Sequence, residues 1–479
     1  MERVQAPLAL LVLSALAACA SEALAPLQVR GEVEPRTPAK PPHVVLIVAD
    51  DLGYADLGFT GVEDIATPHL DRLAAGGVVC TDAHVTAAVC APSRAGILSG
   101  GPGLRFGFEC NLSGNGGLPE EDVLLVDDLR AAGYRTALIG KWHQGDQPHQ
   151  HPNAVGFDDF YGLLGGSRGY WPMGERGNAN RRLQHNGRRV DESEHGYLTD
   201  VFADRAVRTV LEHDGEQALF LMLSFTAPHT PMEAPEEDLA ALSSIENQKR
   251  RTYAAMVQRL DAGVGRVLEA LEERDWDRDT LVAFLSDNGG ATNNASDNGG
   301  WRGMKGSKWE GGQRVPFVLR WPARWKAGEY AGLVSAMDLL STVLAAAGVE
   351  PPAGDPTLFG VDLDRHLRGS RRSSPREQLF WRRSVAAAAR VGAWKLIRVQ
   401  EEDGSWRAPL LFNLEEDPGE LNDRSEAEPE RAAAMLAALA EWETRVQPRL
   451  WGEGERWENN QRAKHELERV GRDAERRVP

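Results

Sequence analysis

The sequence predicts a large α/β domain, in which helices cover both faces of a mostly parallel sheet, followed by a smaller C-terminal α+β domain with an antiparallel sheet. Four continuous apolar runs, at 43–51, 136–143, 218–229 and 280–290, are typical of strands buried on both faces. Helical patterns lie between these runs, as at 252–273. Strands that alternate with helices form parallel sheets enclosed by helices.

The pattern changes near residue 375. Short strand-like segments follow, separated by the turn sequences EEDGS and EDPGE, and they predict an antiparallel meander. A helix is expected from about 430 to 446, before a highly charged tail. We therefore predict an α/β domain over 43–375 and an α+β domain over 376–479.

The N-terminus has the features of an export signal. Its apolar run ends at Ala18 and is too short to span a bilayer, which needs about 20 residues. The run leads into Leu-Ala-Ala-Cys, which resembles a bacterial lipoprotein cleavage site with Cys19 as the lipidated residue. We expect a signal peptide over 1–19, a proline-rich linker over 20–42, and a periplasmic or outer-membrane-anchored lipoprotein. Ordinary cleavage after the ALA at 23–25 is the alternative.

Charge and cysteine content restrict the partners. The 479 residues carry a formal net charge of −17, whereas nucleic-acid binders are basic, so no nucleic-acid partner is expected. A local cluster of cations can still hold a small anionic substrate on an acidic protein. In an oxidising compartment Cys80 and Cys110 could pair, but two separately packed thiols are the preferred interpretation.

Polar side chains follow each of the four apolar runs, at the point where the predicted strand ends. Parallel strands bring these ends to one edge of the sheet, where open α/β sheets bind their ligands. A single residue of this kind is usually a cap or a solvated loop residue, but the coincidence of all four favours a common site. In chain order these residues are Asp50, Asp51, Lys141, His143, His229, Asp287 and Asn288.

The acidic members of this set predict a divalent-metal site. Asp50, Asp51, Asp287 and Asn288 offer only oxygen ligands, which suits Ca²⁺ or Mg²⁺ better than zinc or copper. Without a cation, clustered carboxylates would repel one another. The sequence SDNGG occurs again at 296–300, but there it follows a polar segment, so the metal is assigned to the first copy.

The segment VCAPSRAGILSG, at 89–100, places Cys90 at the start of a predicted helix. Pro92 suits the first turn, and Arg94 offers a fork of N–H donors near an end that favours anions. A buried structural thiol and a cysteine hydrolase are both consistent with this placement. A thiolate is a poor partner for a hard cation, which weakens the second interpretation.

The motifs together resemble a known family. CAPSRAGILSG and GYRTALIGKWH resemble the two signature segments of the type I sulfatases, which belong to the alkaline-phosphatase superfamily. ADDLGYADLG, APHTP, LSDNGG and RGMKGSKWEGGQRVP resemble the other blocks of that family, in the same order, and the likeness extends over about 43–345. GAWKLI and LLFNLEEDPGE resemble its C-terminal domain. The resemblance implies an alkaline-phosphatase-like fold and a sulfuric ester hydrolase.

The resemblance also implies a nucleophile and a metal. A maturing enzyme would oxidise Cys90 to formylglycine, whose hydrate attacks the sulfur of a sulfate ester. The divalent ion, Ca²⁺ or alternatively Mg²⁺, would be held by residue 90 together with Asp50, Asp51, Asp287 and Asn288.

The remaining matched residues are implied to handle charge and protons. Arg94 and Lys141 would stabilise the hydrate and the sulfate. His143 would assist the step that expels sulfate, while His229 and Lys305 would bind the substrate's sulfate and protonate the leaving oxygen.

The substrate expectation rests on fewer residues. APHTPMEAPEEDL and the helix after it most resemble the arylsulfatase B-like, or N-acetylgalactosamine sulfatase, branch, which implies sulfated sugars of the galactose type or an aryl sulfate. The segment 167–189, with Tyr170, Trp171 and several arginines, fits a rim that stacks on sugar and pairs with sulfates, and it fits an ordinary basic loop equally well. The alternatives are a phosphodiester or phosphonate ester hydrolase of the same superfamily, and a non-catalytic sulfoglycan-binding protein.

Three positions depart from the family pattern. Gly101 stands where an arginine is usual, in the region that the maturing enzyme recognises, so inefficient maturation is a concern. Ala55 replaces a glycine, which is a minor change. Ser307 and Lys308 occupy positions where small hydroxyl residues are common, and Lys308 adds a cation to which the sequence assigns no role.

Overall fold

Strands and helices alternate along most of the chain in the computed structural model. It describes residues 40–112, 116–119, 125–173, 178–193, 195–351, 354–371 and 373–465. The predicted signal peptide, Cys19 and nearly all of the linker lie outside these residues.

The described strands fall into one large sheet, a two-stranded sheet and a C-terminal sheet. They are β1 His43–Ala49, β2 Val78–Cys80, β3 Ala83–His84, β4 Arg135–Lys141, β5 Asp159–Leu163, β6 Gln184–His185, β7 Arg188–Arg189, β8 Leu219–Ser224, β9 Thr280–Ser286, β10 Phe317–Arg320, β11 Gly328–Tyr330, β12 Val334–Ser335, β13 Gln378–Arg383, β14 Ala386–Val391, β15 Trp394–Val399 and β16 Leu410–Asn413.

The described helices fill the connections and the C-terminal part. They are α1 Pro68–Ala75, α2 Cys90–Ser99, α3 Leu125–Ala131, α4 Leu198–Leu211, α5 Glu236–Ala241, α6 Gln248–Glu273, α7 Glu310–Gln313, α8 Asp338–Ala346, α9 Asp364–Leu367, α10 Pro429–Glu443 and α11 Glu455–Lys464. Within the described ranges, no helix is both long and apolar enough to cross a membrane.

The large sheet has ten strands in the order β11-β2-β10-β9-β1-β8-β4-β5-β6-β7. Its centre, from β9 to β5, is parallel, and β10 runs antiparallel to β9. Alternate residues of β1 enter two different cores, because successive side chains of a strand point to opposite faces. Helices α2, α3 and α8 cover one face, and α1, α4 and α6 cover the other. The predicted fold class is confirmed.

The register of the central strands brings the predicted site residues to one level. Ala49 pairs with Ser286, so Asp50 and Asp287 come next along two neighbouring strands. Val48 pairs with Ser224, which in turn pairs with Gly140, so Lys141 ends its strand close to the same level. The site is therefore a direct consequence of parallel pairing.

The C-terminal part contains a four-stranded antiparallel sheet in the order β13-β14-β15-β16, as the turn signals predict. Helix α10 packs on this sheet through Leu439 and Trp442, which contact the small side chains of β14 in one core. Helix α11 covers the boundary with the large domain, where Trp309 donates its indole N–H to the carbonyl of Lys464 at 3.0 Å. Cys80 and Cys110 are separate buried thiols, as preferred from the sequence.

Candidate active site

Cys90 is the first residue of α2, and its side chain is 1% exposed. Its sulfur lies 3.5 Å from Asp50 Oδ1 and 3.9 Å from Asp51 Oδ1. These three side chains and His229 place ligand atoms within 4.8 Å of one another. Residues that are distant in sequence thus converge on the predicted nucleophile.

The Cys90 thiol is not an activated nucleophile. Burial raises its pKa to about 12, although Lys141 and Lys305 act in the opposite direction. Only a vanishing fraction of such a thiol ionises at neutral pH, and the thiolate is the form that reacts. The geometry therefore argues against a cysteine hydrolase.

Lysines face the two aspartates that follow β1. Lys141 Nζ lies 2.6 Å from Asp50 Oδ2, and Lys305 Nζ lies 2.5 Å from Asp51 Oδ1. Burial acts to raise the pKa of Asp50, but Lys141, His229 and nearby cations hold it below its usual value. Both aspartates are nearly inaccessible to solvent, and for Asp50 the nearby cations offset the cost of burying its charge.

Arg94 extends from α2 to the end of β9. Its Nε donates to Asp287 Oδ2 at 2.8 Å, and its Nη1 donates to the hydroxyl of Ser224 and to the Lys141 carbonyl. Its Nη2 is buried and has no partner among the described residues. This N–H group is available to an anion.

A divalent ion fits the oxygen-rich side of the site. The Asp51 N–H donates to Asp287 Oδ1 at 3.3 Å, and Asn288 Nδ2 donates to Asp51 Oδ1 at 2.8 Å. Within the described ranges, Asn288 Oδ1 is buried without a partner. Burial and the nearby charge of Asp50 raise the pKa of Asp287, a repulsion that a cation would relieve. Three carboxylates and a free amide oxygen are the donors that Ca²⁺ or Mg²⁺ takes.

Two residues of the site have left-handed backbones. Asp51 has φ 64° and His143 has φ 56°, a conformation that costs a non-glycine residue of the order of 1–3 kcal/mol and is concentrated at functional sites. Gly166 leaves room for the His143 ring, since a Cβ there would lie 2.6 Å from Cε1.

The two histidines differ in surroundings. Burial, then Lys141 and Arg94, lower the pKa of His143 well below its usual value, so this ring is neutral at pH 7. His229 has Nε2 3.5 Å from Asp51 Oδ2 and Nδ1 2.6 Å from the Thr230 carbonyl. When Nδ1 carries a hydrogen, it donates a hydrogen bond to this carbonyl, and Nε2 is the ring nitrogen that faces the site.

Two residues support the site in roles that were not predicted from the sequence. Tyr170 donates its hydroxyl to the carbonyls of Thr226 and His229, at 2.7 and 2.9 Å, and fixes the loop that carries His229. Asn294 donates to the Asp51 carbonyl at 3.0 Å. No pattern indicated Asn294, and Tyr170 was predicted only as part of a sugar-binding rim.

Part of the predicted rim at 167–189 is wrong. Arg168 is buried and pairs with both carboxylate oxygens of Glu192, at 2.9 and 2.5 Å. Tyr170 is also buried and stacks on Tyr197, so neither residue can contact sugar. Trp171 is exposed.

In the second SDNGG, Asn298 accepts hydrogen bonds from backbone N–H groups and lies within a turn-rich loop, as expected.

A cavity of about 990 Å³ opens on the site. Its lining includes Asp51, His229 and Lys305 together with Trp457 and Lys464 of α11. The C-terminal part therefore supplies one wall of the cavity, which the sequence did not predict.

Comparison with known proteins points to one family. Residues 42–349 match the family described as Sulfatase. The chain is 30% identical to N-acetylgalactosamine-6-sulfatase of Homo sapiens, covering 83% of this chain and 84% of the relative, and 32% identical to arylsulfatase A of Homo sapiens, covering 80% and 83%. The crystal structure of Ps i-CgsB in complex with κ-ι-κ-neocarrahexaose is 34% identical, with a TM-score of 0.79, over 89% of this chain and 98% of that one.

Proposed function

The chain belongs to the sulfatase family and is a sulfuric ester hydrolase, and on this premise we propose that it removes sulfate from a galactose-type or N-acetylgalactosamine-type sugar by means of formylglycine at position 90. The observation that carries the proposal is the position of Cys90, whose buried sulfur lies among carboxylates and a lysine at 2.9–3.9 Å.

Oxidation of Cys90 to an aldehyde explains how so inert a thiol becomes useful. The hydrated aldehyde carries two hydroxyl groups. In the first step one hydroxyl would lose its proton and its oxygen would form a bond to sulfur, while the bond from sulfur to the sugar oxygen breaks and that oxygen takes up a proton. In the second step the other hydroxyl loses its proton, the carbonyl re-forms and the bond that holds sulfate to the residue breaks.

The proposed metal ligands are Asp50, Asp51, Asp287 and Asn288, with residue 90. An ion held there, Ca²⁺ or Mg²⁺, lowers the pKa of a hydroxyl and offsets charge on the sulfuryl oxygens. Asn288 Oδ1, without a described partner, supports this assignment.

The cations are proposed to hold the sulfuryl group. Arg94 has a free Nη2 group, and Lys141 and Lys305 lie within the same cluster. Donors that point to where charge develops stabilise the transition state. Because their carboxylate partners already hold these cations in place, the cations lose little conformational entropy when the substrate binds.

The histidines are proposed to move protons. His143 is neutral at pH 7 and can accept the proton of the second hydroxyl when sulfate leaves. The departing sugar oxygen takes one proton, which is proposed to come from Lys305, or from His229 Nε2 when both ring nitrogens of His229 carry hydrogen. A positioned acid or base of this kind contributes about 10²–10⁴-fold.

The carbohydrate substrate has two supports. The similar human relative is a sulfatase of N-acetylgalactosamine 6-sulfate by name, and the similar solved structure holds a neocarrahexaose. The cavity beside Cys90, at about 990 Å³, is at the upper end of the range for small-molecule sites and has room for more than a single aryl group.

We further propose that the protein is exported to the periplasm or anchored to the outer membrane through Cys19, and that a maturing enzyme acts on Cys90. The support is the N-terminal apolar run and the CAPSR segment. Radiolabelled palmitate incorporation that Cys19→Ala abolishes would test the anchor, whereas unlabelled wild-type protein would contradict it.

Paired assays on 4-nitrophenyl sulfate and 4-nitrophenyl phosphate test the reaction class. We expect sulfate turnover to exceed phosphate turnover and to be abolished by Cys90→Ala. Cys80→Ala removes another buried thiol and serves as the matched control. Preferred cleavage of the phosphate would favour the phosphoester alternative, and absence of turnover after maturation would favour a sulfoglycan-binding protein.

A further inference from the structure

The cavity extends well beyond the reacting residues. Its lining has two parts: Asp51, His229 and Lys305 of the site around Cys90, here called the first end, and helix α11 with the end of β13, here called the second end. A single sulfate ester needs only the first end. The second end therefore has space for a further part of the substrate.

Lys464, the last residue of α11, contributes a cation to this second end. Its Nζ donates to the Lys305 carbonyl at 2.8 Å, and the ammonium of Lys305 lies 2.9 Å from Cys90 Sγ. Lys464 thus contacts the residue whose own side chain reaches the nucleophile. This places Lys464 close enough to contact the sugar that carries the scissile sulfate, or its neighbour.

Lys464 forms no direct ion pair with a described carboxylate. Arg383 forms a two-pronged pair with Glu453, at 2.9 and 2.7 Å, and Lys305 is paired with Asp51. Within the part of the chain that the structure describes, no carboxylate lies within 4 Å of Lys464 Nζ. An ammonium has three N–H donors, and among the described residues Lys464 Nζ has one hydrogen-bond acceptor, the Lys305 carbonyl.

The electrostatic surroundings agree with this geometry. Burial, followed by Arg383 and Lys305, lowers the pKa of Lys464 to about 8, although Glu453 and Asp51 act in the other direction. A cation that is mostly removed from water and faces other cations is costly unless an anion pairs with it. A ligand that brings negative charge would remove that cost.

The same face of α11 presents an aromatic ring. Trp457 lies two turns before Lys464 and Asn460 lies between them, at a spacing that puts all three on one side of a helix. All three line the cavity, and Trp457 is 46% exposed. An exposed indole beside a cation and an amide is a surface suited to a charged sugar.

We infer that the α11 face is a second subsite, in which Lys464 pairs with a further anionic group of the substrate, a sulfate ester or a carboxylate on the same or the adjacent sugar, while Trp457 stacks on the ring. This inference rests on the proposed function, since it assumes that a sugar sulfate occupies the first end. It makes the protein selective for multiply charged saccharides.

The test compares kcat/KM on three probes: N-acetylgalactosamine 6-sulfate, N-acetylgalactosamine 4,6-disulfate, and a disaccharide in which a uronate is linked to N-acetylgalactosamine 6-sulfate. We expect at least one doubly charged probe to be preferred, and the preferred one identifies the anion as sulfate or carboxylate. Lys464→Gln should reduce that preference about tenfold or more, which is about 1.4 kcal/mol, and Lys464→Arg should retain most of it.

Lys326→Gln removes an exposed lysine elsewhere and should leave the preference unchanged. Trp457→Ala should lower kcat/KM for all three probes by similar factors. Trp406→Ala, at another exposed tryptophan, should leave these values unchanged. Equal cleavage of all three probes by the wild-type protein, or a preference that survives Lys464→Gln, would overturn the inference.

Two further measurements separate this inference from the reaction itself. In a Cys90→Ala background, which does not turn over, Lys464→Gln should weaken equilibrium binding of the preferred probe about tenfold. If the matured wild-type protein releases sulfate but Lys464→Gln does not weaken binding in the Cys90→Ala background, the subsite is contradicted and the reaction is not. If Lys464→Gln weakens binding but the matured wild-type protein releases no sulfate, the reaction is contradicted and the subsite is not. If Lys464→Gln does not fold, the wild-type preference must still decrease as salt rises, because salt screens the pairing; a salt-independent preference contradicts the subsite.

Discussion

Lys305 Nζ lies 2.9 Å from Cys90 Sγ, and the same ammonium lies 2.5 Å from Asp51 Oδ1. A single cation from the segment between β9 and α7 thus contacts both the predicted nucleophile and a predicted metal ligand. Cys90 precedes Lys305 by 215 positions, so this contact exists only because the large sheet brings the two segments together.

Lys305→Met should lower kcat on aryl sulfate by about 10²–10⁴-fold, because it removes a donor that stabilises charge and supplies a proton at the leaving oxygen. Steady-state kinetics of the matured variant measure the effect. The exposed Lys326→Met is the control, and a Lys305→Met kcat within threefold of wild type would be incompatible with the assigned role.

Asp287→Asn keeps the shape of a proposed metal ligand and removes its charge. We expect sulfate release to disappear, and the increase in Tm on adding CaCl₂ to chelator-treated protein to be lost, since an ion that binds only the folded state stabilises it. Asp297→Asn changes the corresponding aspartate of the second SDNGG, which is exposed, and should leave both intact.

Chelation of the wild-type protein should lower both activity and Tm, and Ca²⁺ or Mg²⁺ should restore them. A wild-type protein whose activity and Tm are indifferent to both chelator and added ions would contradict the metal site.

Gly101→Ala should destabilise the fold. A Cβ at this position would lie 2.4 Å from the Leu358 carbonyl oxygen and 2.5 Å from Arg105 Nη1. The backbone at Leu358 cannot move away without a cost in free energy. We expect a loss of about 1–3 kcal/mol in the free energy of unfolding, measured by chemical denaturation. Gly196→Ala, where a Cβ meets open space, is the control. Equal stability of the two variants would refute the clash.

Lys308 should make stability depend on pH. It is buried, and burial followed by Arg383 lowers its pKa from 10.5 to about 7, although Glu109 and Glu453 act in the other direction. Between these two pKa values the unfolded chain binds a proton that the folded chain does not, so the free energy of unfolding rises with pH from about 7 to 10.5. Below about pH 7 the full cost of burying the charged amine is present. The slope reaches at most about 1.4 kcal/mol per pH unit.

Lys308→Met removes this cost. The variant should be more stable than wild type at pH 7, and the difference should shrink toward pH 10 in denaturation curves. Lys326→Met should show no such trend. A difference between Lys308→Met and wild type that stays constant from pH 7 to pH 10 would mean that Lys308 is not buried as a neutral amine.

The strand ends of the site were predictable because their signal is local. A continuous apolar run such as 43–49 marks a strand buried on both faces, and polar residues directly after it must lie at the sheet edge. Parallel pairing then places Asp50 beside Asp287, whichever helices connect the strands. Cys90 was identifiable only through its segment, since a lone cysteine before a proline has several uses.

The wall formed by α11 was not predictable for the opposite reason. Its sequence, ERWENNQRAK, has the charge density of a solvated helix, and only tertiary packing shows that Lys464 and Gln461 are largely enclosed. The burial of Tyr170 likewise depends on stacking with Tyr197, 27 positions later, which leaves no periodic trace. Contacts between single side chains that are distant in sequence leave no local or periodic signal, so this part of the structure could not be predicted from the sequence.

The most direct measurement of the central claim is mass spectrometry of the Cys90 fragment from protein co-produced with a formylglycine-generating enzyme and shown to release sulfate. The fragment should be lighter than the thiol form by the difference between a CH₂SH and a CHO group. A preparation that releases sulfate while every Cys90 fragment retains the thiol mass would contradict the account.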